Sequence, residues 1–302
     1  MRLFAPEYYL KFKCITHRCR HSCCIGWEID IDCDTLRRYE SAEGGYSKKI
    51  KESIDYSDTP HFCLLGDRCP HLSERGLCNI ITEYSEEWLA DICREHPRFY
   101  NDTAEGREVG IGMACEEAAR IILEAENYRG RVDLGEVGGD FEDFEFNAVC
   151  ERERVYELLS DERVDYEKRL LSLWDKYGVS PRLHTDGEWR DILSSLEYLN
   201  AEHGYLFSAY SSDEKTRTGY EKALERFLAY LIYRHASSKE TLESFRSALG
   251  FAFFSERLLA SLIKSEKNLD EYGVTELARV ISEELEYSED NTDTITFEFD
   301  LT

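Results

Sequence analysis

A chain of 302 residues with 42% apolar and 33% charged side chains can build one large or two ordinary domains, each around its own core. Its formal charge of −25 argues against a nucleic-acid partner and favours cationic ones, exposed lysines among them. No apolar run approaches the roughly 20 residues of a membrane helix, and the N-terminal M-R-L-F-A-P-E-Y-Y-L-K lacks a signal-peptide pattern, so a cytoplasmic protein with no membrane partner is expected.

Residues 1–13 carry an apolar-aromatic pattern (Tyr8, Tyr9, Leu10, Phe12) that leads into C-I-T-H-R-C-R-H-S-C-C-I-G-W, residues 14–27. This stretch sets Cys14, Cys19, Cys23 and Cys24 among Lys11, Lys13, Arg18 and Arg20, with no acidic residue between Glu7 and Glu28. Asp34 and Thr35 then offer an N-cap for the short helix T-L-R-R-Y-E, which Gly44-Gly45 breaks, and residues 48–54 predict another turn or two. Residues 55–68 read as loop, with an extended piece at 61–65. A second cysteine group follows, R-C-P-H-L (68–72) and G-L-C-N-I (76–80). Ser85 is the expected cap of a helix E-E-W-L-A-D-I-C that ends at Cys93, ahead of Pro97. Residues 105–114 are expected to be extended, and Cys115 to open a helix, where a thiol pKa is lowered.

The glycine-rich, acidic stretch 127–147 is expected to be a linker or flexible loop. Segments 148–160, 164–177, 188–201, 218–235, 240–266 and 273–286 carry apolar residues at helical spacing. The tail T-I-T-F-E-F-D-L alternates and predicts a strand or a strapped-down extension. The expectation is a mainly α protein: a cysteine-rich, metal-binding part (1–126) with little regular β structure, the linker (127–147), and a helical part (148–302).

Ten of the eleven cysteines fall within the first 115 residues, and in a reducing compartment such clustering points to metal ligands or redox groups. Thiolates suit zinc and iron–sulfur iron, and four of them give either metal centre a net −2 charge that the flanking cations would offset. Cys69, Cys78, Cys93 and Cys115 either complete the first site, build a second, or pack as core thiols. Cys33, Cys63 and Cys150 lie outside both groups and read as structural. His17, His21, His61, His71 and His96 share the same half, as ligands, proton carriers or ordinary polar neighbours. There is no P-loop, G-x-S-x-G or H-E-x-x-H, and the Gly135–Gly139 run lacks the spacing of a nucleotide loop.

The pieces F-K-C (12–14), C-R-H-S-C-C-I-G-W-E-I-D-I-D (19–32), R-C-P-H-L, G-L-C-N-I, W-L-A-D-I-C (88–93), Pro97-Arg98 and Cys115 resemble, in order, the flagellin lysine-N-methylase (FliB) family, whose cysteine pattern is of the zinc/iron-chelating type. The resemblance spans about residues 8–120. It implies methyl transfer from S-adenosylmethionine to the ε-amine of flagellin lysines, with an iron–sulfur cluster of the 4Fe–4S type taking part. It maps Cys14, Cys19, Cys23, Cys24, Cys69, Cys78, Cys93 and Cys115 onto the family's cysteines, the first four being the favoured ligands. It assigns no catalytic residue and no S-adenosylmethionine site. The competing reading of the same cysteines is a zinc-stabilised interaction module without catalysis.

Overall fold

A computed structural model describes residues 1–139, 144–211, 218–266 and 269–300. The strands are β1 (Arg2–Pro6), β2 (Ile54–Asp55), β3 (His61–Phe62), β4 (Arg98–Thr103), β5 (Gly106–Ile111) and β6 (Arg131–Glu136). The helices are α1 (Cys33–Ser41), α2 (Ser47–Glu52), α3 (Asn79–Glu83), α4 (Asp91–Glu95), α5 (Glu116–Leu123), α6 (Ala148–Leu159), α7 (Tyr166–Tyr177), α8 (Asp186–Ser195), α9 (Ala201–Phe207), α10 (Glu221–Ala236), α11 (Leu242–Ser265), α12 (Glu271–Leu285) and α13 (Glu289–Asp300). The protein is mainly α. None of the described helices is long and apolar enough to cross a membrane.

Two compact units emerge. Lys13–Arg98 with Cys115–Glu117 form the cysteine-rich unit, and Met1–Phe12, Phe99–Ala114 and Ala118–Thr302 form the helical unit. The cysteine-rich unit is therefore shorter than the expected 1–126, because the chain at both its ends supplies strands to the other unit. Those strands make a sheet of order β4-β5-β1-β6. β1 runs parallel to β5 (Leu3 opposite Arg107) and antiparallel to β6 (Arg2 opposite Glu136, Pro6 opposite Arg131). Residues 131–136 of the expected linker are thus a strand, recruited because β1 needs a partner on its second edge. Residues 140–143 of that stretch lie outside the described residues.

In the helical unit, α6 and α7 fall close to where their periodicity puts them. Asn147 and Asp165 cap them through side-chain oxygens, and Gly178, in the left-handed conformation (φ 68°), closes α7. The predicted segment 188–201 is helical only as far as Ser195, as α8, which a Thr185–Glu188 capping box starts; α9, capped by Asn200, begins at the segment's last residue and is not predicted. α11 is the core element, buried along almost its whole length. The tail is α13 rather than a strand. Ile295 and Phe299, four residues apart, are both buried while Phe297 is 57% exposed, so a helical period overrides the apparent alternation. Phe299 lies directly over Gly250 of α11, where a Cβ would stand 2.2 Å from the ring, and its ring centroid is 5.8 Å from that of Trp189. Residue 301, the end of the predicted stretch, lies outside the described residues.

The cysteine-rich unit has short elements stitched by loops. Its core is Ile29, Ile31, Tyr39, Ile50, Ile54, Phe62, Cys69 and Ile80. Backbone bonds from Ile31 N to the Pro60 carbonyl and from Phe62 N to the Ile29 carbonyl tie the E-I-D-I-D run beside β3. Asp32, rather than the expected Asp34 or Thr35, is the N-cap of α1 and accepts the Thr35 N–H at 2.9 Å. The expected helix 86–93 is broken into a 3₁₀ turn (Glu86–Trp88) and α4, because Leu89 and Ala90 are extended. Asp32 reaches this break as well: its second oxygen accepts the Asp91 N–H at 2.9 Å.

Candidate metal centre

All eleven cysteines are free thiols. Four of the eight candidate ligands meet at the core of the cysteine-rich unit: Cys69 belongs to it, and Cys24, Cys78 and Cys93 pack against it. They come from four different pieces of chain. Cys24 and Cys69 lie on segments joined by Cys69 N donating to the Cys24 carbonyl (2.8 Å) and Gly26 N to the Asp67 carbonyl (2.8 Å). Cys78 precedes α3, with Leu72 and Cys78 bridged across the 69–78 loop, and Cys93 sits on α4.

Electrostatics bind the four into one group. Burial pushes the Cys69 thiol up to about 12, and Cys24 and Cys78 add to the rise. Burial likewise raises Cys93, with Cys24, Cys69 and Cys78 contributing, and raises Cys78, with Cys24 contributing. Opposing backbone donors point at two of the sulfurs. The His71 and Leu72 N–H groups lower Cys69, and the Ile80 and Ile81 N–H groups lower Cys78. Donors aimed at sulfur favour the thiolate, the form that binds metal. Cys24 stands apart: its neighbour Cys23 donates a hydrogen bond to it, bringing it down to about 7, with Ser22 and Arg68 helping. That same bond drives Cys23 upward. Four thiols gathered in an apolar core, two of them met by backbone donors, are chemically suited to a thiophilic cation, whose charge would offset the repulsion among their thiolates.

The other four predicted ligands are arranged differently. Cys14 is exposed and accepts the Thr16 N–H at 3.4 Å. Cys19 donates to the His21 carbonyl (3.2 Å) and lies 3.7 Å from Glu116, and burial raises it to about 12 with Glu116 and Cys115 adding to the effect. Cys115 therefore belongs beside Cys19, at the start of α5. Of the favoured sequence group, Cys14, Cys19, Cys23 and Cys24, Cys24 packs against the core, and Cys23, bonded to Cys24, lies near enough to Cys14 and Cys93 that both raise its thiol. Cys33, Cys63 and Cys150 are exposed.

The histidines resolve too. His71 is completely buried between Tyr46 (hydroxyl to Nδ1, 3.1 Å) and Ser53 (Oγ to Nε2, 3.0 Å). Ser53 already donates to the Ile50 carbonyl, so it accepts from Nε2–H, and Nδ1 accepts from Tyr46. With both nitrogens engaged and burial holding its pKa near 4, His71 is a neutral core residue. His61 makes its contacts to the Thr59 carbonyl and Glu28. His96 packs 5.8 Å from Trp27, ring to ring, and burial holds it near 4.

Among the described residues, one set of three candidate ligand atoms lies within 4.8 Å, and it contains no cysteine: His203, Glu283 and Glu284. Sequence spacing gave no hint of it. Its oxygens are already used, since Glu284 accepts from His203 Nδ1 (2.5 Å), Leu199 N (2.8 Å) and Asn200 N (3.1 Å), and Glu283 pairs with Arg279 at 2.8 Å. These contacts fasten the start of α9 to α12.

Over 127 residues, 39% of its length, the chain is 25% identical to proteins named lysine-N-methylase from Salmonella typhimurium and Salmonella choleraesuis, matching 31% of each. Over 127 residues it is 24% identical to the flagellar biosynthetic protein FliU of Salmonella muenchen, matching 75% of that protein. The chain thus spans about a third of the length of the two methylases it matches. No family model matches it, and neither does a solved structure.

Proposed function

We propose that this protein is a protein-lysine N-methyltransferase that uses S-adenosylmethionine, acts on flagellin, and carries an iron–sulfur cluster on Cys24, Cys69, Cys78 and Cys93. The observation that carries the activity is the match to two proteins named lysine-N-methylase, and the flagellar name of a third supports the substrate. The cluster rests on the four-thiol core. Four thiolates can each bind one iron of a cubane, and four thiolates also suit zinc, so the iron reading is the one taken with the methylase match.

When bound, an iron–sulfur cluster supplies redox-active iron whose potential depends on hydrogen bonds to its sulfurs and on exposure to solvent. The chain provides for both. The N–H groups of His71, Leu72, Ile80 and Ile81 are aimed at ligand sulfurs, and Ile29, Ile31, Phe62 and Ile80 keep water from them. Because burial keeps Cys69, Cys78 and Cys93 protonated, metal loading releases protons and weakens as pH falls. A substrate lysine must lose its own proton before it can attack a methyl sulfonium. The formal charge of −25 draws lysine-rich surfaces in.

The test is transfer of isotopically labelled methyl groups to purified flagellin by anaerobically prepared protein, read as methyl-lysine by mass spectrometry. Label on lysine is expected. No label, together with stoichiometric zinc and no iron, would leave a zinc-stabilised interaction module instead.

A further inference from the structure

The cysteine-rich unit has a cavity of about 420 Å³ lined by Arg38, Glu87, Trp88 and Arg94. That is within the range of small-ligand sites. It lies near two of the thiols, Cys93 and Cys78. Arg94 follows Cys93 on α4, and the Trp88 carbonyl accepts the hydroxyl of Tyr39 at 2.6 Å. Tyr39 is buried close enough to Cys93 and Cys78 that both act on its phenol. Trp88 and Cys93 pack against the same core.

The charges of the cavity specify what it accepts. Arg38 donates to the Glu87 carbonyl, and among the described residues no carboxylate pairs with it. Arg94 is tied down by Asp91, with Glu95 at 3.7 Å. The Glu87 side chain is exposed and, among the described residues, forms no ion pair. Two guanidiniums against Glu87, Asp91 and Glu95 leave the neighbourhood slightly negative, which disfavours a phosphate or other polyanion. What remains is one available cation, Arg38, beside one available anion, Glu87. Trp88 offers little stacking surface: Tyr84 lies on the indole at 4.1 Å and 14°, and Tyr39 flanks it at 6.5 Å and 23°. Recognition here is by charge, with the indole as a rigid wall.

We propose that this cavity binds an α-amino acid zwitterion, the methionyl end of S-adenosylmethionine, with Arg38 taking its carboxylate and Glu87 its ammonium group. Arg38 can meet the carboxylate with two parallel N–H donors. The identity of the amino acid rests on the methyltransferase reading, whereas the zwitterion rests on the cavity alone.

The experiment is calorimetric titration of the full-length, metal-loaded protein with S-adenosylhomocysteine, L-methionine and adenosine. S-adenosylhomocysteine and L-methionine are expected to bind and to compete, and adenosine alone is expected to bind neither here nor in competition with L-methionine. Arg38→Gln and Glu87→Gln should each weaken both amino-acid ligands by about tenfold, the loss expected of one hydrogen bond to a charged group. Arg38→Lys should recover part of the affinity, and thermal midpoint and iron content should match the parent in all three variants. Unchanged binding in Arg38→Gln and Glu87→Gln, or a parent protein that binds no L-methionine, overturns the site. The two readings separate cleanly. Methyl transfer with an unaltered KM for S-adenosylmethionine in Arg38→Gln removes the cavity and keeps the methyltransferase. L-methionine binding lost in Arg38→Gln, with no methylation of flagellin by the parent, keeps the cavity and removes the methyltransferase.

Discussion

At the scale of single residues, the division of labour in the cysteine-rich unit follows from which polar atoms already have partners. His71 sits two residues from Cys69, yet its ring is committed to Tyr46 and Ser53, and only its backbone N–H serves the sulfur. His71→Phe should therefore keep the parent's iron content while lowering stability by about 1–3 kcal/mol, since Tyr46 and Ser53 lose a buried partner. Loss of iron at unchanged unfolding stability, followed by denaturant titration and metal analysis, would make His71 a ligand instead. Cys23 and Cys24 show the same point from the other side. Adjacent in sequence, they differ in role, because Cys23 donates to Cys24 and only Cys24 packs against the core.

At the scale of elements, Asp32 is the joint that ties two cysteine-bearing pieces together. One of its oxygens caps α1 and the other receives the first N–H of α4, the helix that carries Cys93. Partial burial works to raise its pKa, but the hydrogen bonds from Asp91 and Thr35 outweigh it and hold it below the ordinary carboxylate value. A carboxyl depressed in the folded state adds stability above its unfolded pKa and loses it as pH falls through the lower folded value. Asp32→Ala should thus cost about 1–2 kcal/mol at pH 7, from urea unfolding, and the gap to the parent should close below about pH 4. A gap that persists at pH 2 would contradict the charge-dependent cap.

Most helices were legible at this scale because 3.6-residue periodicity and side-chain caps are local signals, as at Asn147 for α6 and Asp165 for α7. What was not legible depended on distant partners. Nothing near residues 131–136 says that they pair with residues 2–6. The tail alternates in a way that fits a strand, whereas its burial follows a helical period, with Ile295 and Phe299 inward and Gly250 leaving room for the Phe299 ring. Of the candidate site, clustering singles out the cysteine-rich stretch, but spacing could not tell which cysteines share a core, since Cys24, Cys69, Cys78 and Cys93 come together from separate loops.

At the scale of the whole molecule, the chain leaves the helical unit after β1, builds the cysteine-rich unit, and returns to lay β5 beside β1. The cysteine-rich unit has 12 Lys+Arg against 18 Asp+Glu, so most of the −25 charge is carried by the rest of the chain. Acidity is thus a property of the large helical unit, and the thiols lie in the less acidic part. The account stands on the claim that four particular thiols hold one iron–sulfur cluster. Iron and acid-labile sulfide, measured on anaerobically purified cysteine-to-alanine variants, test it most directly. Both should be present at about four per chain in the parent. They should be lost in Cys24→Ala, Cys69→Ala, Cys78→Ala and Cys93→Ala, and kept in Cys14→Ala, Cys19→Ala, Cys115→Ala and Cys150→Ala. A parent without iron, or full retention of iron and sulfide in any of the first four, would contradict it.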